Sequence, residues 1–144
     1  MNNKRTDILL VNYAFSIFRG GGENFAYNIH KELSKKNYNC SVLTVRPLFS
    51  KFDPLDNSDV EVKYVRAFWF YRFATYLKSI NKNFSKVGYL LRIIGQASFE
   101  IAAFLYIIRQ KRKYKLVLSC GLPLITFLLS KIDKTNSIMR APGP

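Results

Sequence analysis

The chain has 144 residues, 49% of them apolar and 15% aromatic, which is enough to bury one sizeable core, too few for two ordinary domains, and too apolar for a disordered tail. Lysine and arginine number 23 against 9 aspartates and glutamates, and the formal charge of +14 selects anionic partners: phosphates, nucleotide diphosphates, nucleic acid or an anionic membrane leaflet. Only Cys40 and Cys120 are present, both in apolar stretches, which excludes a disulfide framework and suits buried thiols in a reducing cytoplasm; the polar start, Met1 to Asp7, followed by only four apolar residues, is no signal-peptide core.

Taken in chain order, Ile8-Leu9-Leu10-Val11 is an unbroken apolar run, as in a strand covered on both faces of a parallel sheet. A loop, Tyr13 to Arg19, leads to Gly20, Gly21 and Gly22, after which Phe25, Ala26, Ile29 and Leu33 recur at helical spacing. Glu23 at the start of this helix and Lys31, Lys35 and Lys36 near its end complement the helix dipole. Cys40 to Val45 reads as a second strand, stopped by Pro47, and a polar loop through Asp53, Pro54, Asp56, Asn57 and Asp59 precedes a third, Val60 to Val65.

The stretch from Ala67 to Phe84 is aromatic and basic, with Trp69, Tyr71, Phe73 and Tyr76 among Arg66, Arg72, Lys78 and Lys82, and it carries no clear secondary-structure signal. Beyond it, Val87, Leu90, Ile94, Ala97, Ile101, Phe104 and Ile108 form one stripe, with Arg92, Gln96 and Glu100 together on another side, predicting a long amphipathic helix. Its length matches the ~20 residues of a membrane span, but Arg92 and Glu100 would each cost about 2.5–3.5 kcal/mol near the bilayer centre, so the sequence argues against a crossing. After a basic cluster, Arg109 to Lys115, a fourth strand at Leu116 to Ser119 passes through Gly121 and Pro123 into an apolar helix, Leu124 to Ser130. A last strand starts at Ser137, and the chain stops soon after, as a truncated domain would. Strands joined through helices predict right-handed crossovers and an α/β class: a Rossmann-like, mostly parallel sheet with helices on both faces.

Gly20 to Gly22 lie where a strand gives way to a helix, a place where bare backbone amides and the helix dipole receive phosphate. Their spacing matches neither the dinucleotide fingerprint nor the P-loop, and a plain tight turn accounts for them equally well on these grounds. His30, the single histidine, has no partner at ligand spacing, so no metal site is expected and the residue is structural or exposed. No serine or cysteine has a plausible histidine partner, which excludes independent hydrolysis by such a pair. Arg140 stands near a strand end, where it can meet an anion or simply be a solvated charge.

The run Ile8 to Asn12, then Gly20-Gly21-Gly22-Glu23-Asn24 and Ile29-His30-Lys31-Glu32-Leu33, resembles the opening of family 4 glycosyltransferases, with a strand, a Gly-Gly-x-Glu turn and a helix. Tyr38 to Thr44 and Lys115 to Ser119 with Gly121 and Pro123 extend the likeness over nearly all of residues 1–144. The resemblance implies the acceptor-side N-terminal domain of a two-domain GT-B enzyme, whose C-terminal donor-binding half is absent from this sequence. It implies transfer of a sugar from a nucleotide-sugar donor, a co-substrate rather than a cofactor, to a glycan or lipid-linked acceptor, as in polysaccharide biosynthesis. It assigns Gly21 and Gly22 to the donor diphosphate, and Ser119 and Arg140, more weakly, to the acceptor; Glu23 has the motif position, though a helix-dipole role accounts for it too. The histidine many members place after the fourth or fifth strand is replaced here by Ser119, Cys120 and Pro142, and no pair among Glu23, Glu32, Glu61 and Glu100 has the spacing of the family's donor-gripping glutamates.

Catalysis is therefore expected to need the missing domain, in the same or another chain, and the fragment alone to be inactive. The expected location is the cytoplasm, with the basic aromatic stretch and the amphipathic helix seating the domain on the inner face of the cytoplasmic membrane. Two other readings share these features: a noncatalytic remnant or interaction domain that keeps the fold, and a nucleic-acid-binding module, for which no recognised motif is present.

Overall fold

The computed structural model describes residues 7–15, 17, 21–48, 59–70, 85–110, 114–132 and 137–140. Along the chain these form β1 (Asp7–Val11), α1 (Gly21–Lys35), β2 (Asn39–Pro47), β3 (Glu61–Ala67), α2 (Ser85–Arg109), β4 (Leu116–Cys120), α3 (Pro123–Ile132) and β5 (Ser137–Arg140). The five strands make one sheet in the order β3-β2-β1-β4-β5, and every pairing is parallel. The chain winds outward from β1 to β3 and then returns to lay β4 on the free side of β1. The boundary between β1 and β4 is thus the point where the strand order reverses.

The period of the strands sorts their side chains onto two covered faces. Leu9, Val11, Leu43, Val45 and Val65 pack with Phe99 of α2 and Ile125 of α3, while Ile8, Leu10 and Val42 pack with Ala26 of α1 and with Phe15. Helices on both faces of a parallel sheet are the architecture the sequence predicts. The unbroken apolar run of β1 is explained by it, because Leu9, Leu10 and Val11 have no exposed surface at all.

The element ends follow local chemistry. Helix α1 closes in a Schellman motif: Asn37 sits in the left-handed region at φ 61°, Tyr38 N donates to Leu33 O at 3.1 Å and Asn37 N to Ser34 O at 3.1 Å. Pro123 opens α3, where its missing N–H leaves no bond unmade. Strand β2 runs on to Pro47 rather than stopping before it, since a proline in the last rung, opposite Ala67, removes only a terminal donor. His30 is buried with Nε2 3.1 Å from Cys40 O, and since a carbonyl only accepts, Nε2 carries the proton and the residue is structural. Most of the polar loop at 53–59, the aromatic segment at 71–84, Gly20, the basic residues at 111–113 and Pro142 lie outside the described residues.

Helix α2 departs from the ordinary reading of an amphipathic stripe. Of the apolar stripe of the sequence, Val87, Leu90, Ile94 and Ile101 are 44–56% exposed, as is Leu105 beside them, while Ala97, Phe104 and Ile108 are partly buried. The helix instead buries a narrow face in which Phe99 is flanked by small and polar residues, Gly88, Gly95, Glu100 and Ala103. Two features make that face the better one. Small residues let α2 approach the sheet closely, and the 2% exposed carboxylate of Glu100 has partners only there: Ile125 N donates to Oε2 at 2.8 Å and Gln96 Nε2 to Oε1 at 3.0 Å. Glu100 thus satisfies an otherwise orphaned amide of the first turn of α3 and sits at the positive end of its dipole. Replacing Glu100 by Leu strands that amide and is expected to lower stability by about 1–3 kcal/mol in urea unfolding, with Glu100→Gln, which keeps an acceptor, losing clearly less.

Candidate functional site

Open α/β sheets bind ligands outside the carboxyl ends of the strands, where the order reverses. A cleft of about 280 Å³ occupies that position. Asn12, Tyr13 and Ala14 enter it directly after β1, Cys120 ends β4 in it, and Gly121 and Leu122 follow; Glu23 comes from the first turn of α1, Trp69 from beyond β3, and Arg92 and Gln96 from α2. A wider hollow of about 430 Å³ lies along edge strand β3, walled by Val65, Arg66, Leu105 and Arg109. Position outweighs volume here, because only the first cleft gathers loops from several strand ends.

Each wall of the cleft is fixed by a specific bond. Asn12 is buried, its N–H donating to Leu43 O at 3.0 Å and its Oδ1 accepting from Ala14 N at 3.1 Å, so the chain turns sharply as it leaves β1. Thr44 Oγ1 donates to Tyr13 O at 3.1 Å and locks that turn to β2. The Tyr13 ring lies 5.0 Å from Trp69 and 5.3 Å from Phe99 between ring centres, and its hydroxyl donates to Phe68 O at 2.9 Å. Burial raises the Tyr13 phenol above its ordinary pKa, which makes it a fixed neutral donor rather than a titrating group. On the opposite wall Gly121 adopts φ +70°, a conformation that favours glycine, and its carbonyl accepts from Gln96 Nε2 at 3.2 Å.

The residues singled out in the sequence are distributed unevenly around this cleft. Gly21 and Gly22 form the first turn of α1, immediately before the lining residue Glu23, and a Cβ built on Gly21 meets nothing within 4 Å. No internal contact therefore requires glycine at position 21. Ser119 sits at the end of β4 but is 4% exposed, its hydroxyl 2.5 Å from Thr126 Oγ1 beneath the turn, away from the cleft lining. Arg140 is placed by the register of β5 beside Cys120, one strand from the cleft wall. Tyr13, Trp69, Arg92, Gln96 and Cys120 line the cleft although sequence reasoning assigns them no such role; Tyr13 and Cys120 follow from the reversal rule once the strand order is known. Arg92 and Gln96 follow only from the inverted seating of α2.

The two thiols differ correspondingly. Cys40 is buried against α1, and burial, with a smaller contribution from the negative charge of Glu61, pushes its pKa up to about 12. Cys120 is partly exposed on the cleft wall. Matched against protein-family models and curated proteins, the chain finds no counterpart in either.

Two measurements probe this geometry. At pH 8 a disulfide reagent is expected to modify Cys120 in the native protein and leave Cys40, still protonated more than three pH units below its pKa, until the chain is unfolded. Separately, a Cβ at Gly95 would lie 2.7 Å from Tyr13 Oη and 3.2 Å from Phe68 O. Gly95→Ala is thus expected to cost about 1–3 kcal/mol of stability by overpacking, despite its gain in helix propensity. Adding Tyr13→Phe, which removes the clashing hydroxyl, is expected to recover most of the loss in urea unfolding.

Proposed function

We propose that this chain is the acceptor-side Rossmann-like domain of a retaining glycosyltransferase, carrying a sugar from a nucleotide-sugar donor to a glycan or lipid-linked acceptor. The observation that supports it is the cleft at the reversal of strand order, bordered by the glycine-rich first turn of α1. In this reading the amides at Gly21 and Gly22, at the positive end of the α1 dipole, approach the diphosphate as it departs, and Arg92 across the cleft adds a fixed positive charge. Both act on charge that grows as the glycosidic bond to phosphate breaks, which is the condition for lowering a barrier rather than only binding substrate. Arg140, beside the cleft wall, belongs to the acceptor side. Ser119 holds the turn after β4 through Thr126 and serves the acceptor only indirectly.

A volume near 280 Å³ is at the lower end of small-molecule sites. It accommodates a sugar phosphate portion, and a second domain closing over the strand ends would have to hold the nucleotide.

The open space at Gly21 gives this reading an unusual test, because stability and function should move apart. Gly21→Ala is expected to leave urea stability unchanged or slightly raised, by up to about 1 kcal/mol, while it weakens nucleoside diphosphate binding. The readout, on the chain co-expressed with a donor-binding domain, is calorimetric titration with uridine and guanosine diphosphates together with transfer of labelled sugar to membrane extract. Loss of stability without loss of binding would make the glycine a plain turn residue and remove its assignment to the diphosphate.

A further inference from the structure

We infer that the outward face of α2 is a docking surface for an anionic lipid bilayer, on which the helix lies flat. The face consists of Val87, Leu90, Ile94, Ile101 and Leu105, each close to half exposed although large and apolar. It lies away from the cleft, whose α2 residues Arg92 and Gln96 are on other sides of the helix, and Leu105 marks its border with the hollow beside β3. Helix α2 is also long and apolar enough to cross a membrane by length and composition, from Lys86 to Arg109. Crossing is opposed by its own packing: Phe99 and Ala103 are in the sheet core, and Glu100 is bonded to Ile125 N. A helix anchored to a sheet along one side can enter a bilayer only with the other, to the shallow depth of an interfacial helix.

Charge selects the occupant. Lys86 and Arg109, both exposed, bracket the apolar stripe, and the sole acidic residue of the helix, Glu100, is turned inward. The neighbouring α3, in the same layer, adds Phe127, 58% exposed, with the Lys131 ammonium 5.6 Å above its ring. This pattern of apolar centre, cationic border and no outward carboxylate matches an anionic leaflet, where each cation near the surface contributes about 1 kcal/mol. A second copy of the chain fits less well, since two molecules of formal charge +14 repel. The inference stands on α2 with the adjoining residues of α3 and does not rest on the sugar-transfer reading.

The test is flotation of the purified chain with vesicles of phosphatidylcholine alone or mixed with phosphatidylglycerol, alongside sedimentation equilibrium without lipid. The expected result is a monomer that floats with the anionic vesicles at least about tenfold better than with neutral ones and is released by salt. Ile94→Glu with Ile101→Glu is expected to abolish flotation with an unchanged melting temperature, because both sites are solvent-facing. Should that pair perturb folding, Lys86→Gln with Arg109→Gln provides the second arm, expected to remove the preference for anionic lipid. A dimer that the Ile94 and Ile101 substitutions dissociate, with no flotation, would overturn the inference in favour of self-association. A monomer that ignores both vesicle types would overturn it outright.

Discussion

The seating of helix α2 rests on one buried carboxylate. Glu100 cannot be left inside the protein without partners, and the first turn of α3 offers an amide that likewise has none within its own helix. Joining the two at 2.8 Å satisfies both and fixes the rotation of α2 about its axis. With Glu100 inward, Gln96 one turn earlier is carried toward the turn after β4, where it bonds the Gly121 carbonyl, and Arg92 comes to the cleft. Val87, Leu90, Ile94 and Ile101 of the apolar stripe are left outside by the same rotation. One interaction thus decides what the cleft contains and what the outer surface presents.

The interior is arranged to tolerate this. A helix that buries Gly88, Gly95 and Ala103 can sit close to the sheet, and the space above β1 and β3 is filled instead from the loop side by Tyr13 and Trp69. Gly95 is where the two meet, with the Tyr13 hydroxyl against the helix backbone. At the opposite end of the sheet Lys63 donates to Tyr114 Oη at 2.9 Å and to Ser41 Oγ at 3.2 Å. Burial alone would lower its pKa, but the bond to Tyr114 and the pairing with Glu61 outweigh this and raise it. That end is closed by protein groups, whereas the carboxyl end of the strands is open and gathers residues from separate elements, as expected of the ligand side.

The strands, their parallel class and the α1 turn were legible because their signals are local, whereas the order of the strands came only with the structure. An unbroken apolar run such as Ile8 to Val11 has few solutions other than a doubly covered strand, and three consecutive glycines before a helical period mark a helix start. The orientation of α2 was not legible, since periodicity locates a stripe but cannot say what covers it. The usual inference that an apolar stripe faces the core fails when the competing face offers a buried bond and small residues. For the same reason the cleft was half seen: its glycine border stood in the sequence, but Arg92 and Gln96 stood on what looked like the solvent side. Ser119 was placed correctly at a strand end, yet its side-chain direction depended on Thr126, seven residues on in α3.

The most direct measurement is a cysteine scan along α2 in a background with Cys40 and Cys120 replaced by Ser or Ala, following the rate of maleimide labelling at Leu90→Cys, Ile94→Cys, Ile101→Cys and Leu105→Cys against Phe99→Cys and Ala103→Cys. If Glu100 faces inward, the first four label rapidly in the native protein and the last two only after unfolding. Rapid labelling at 99 and 103 with protection at 94 and 101 would turn the helix over and contradict the cleft and the outer face together.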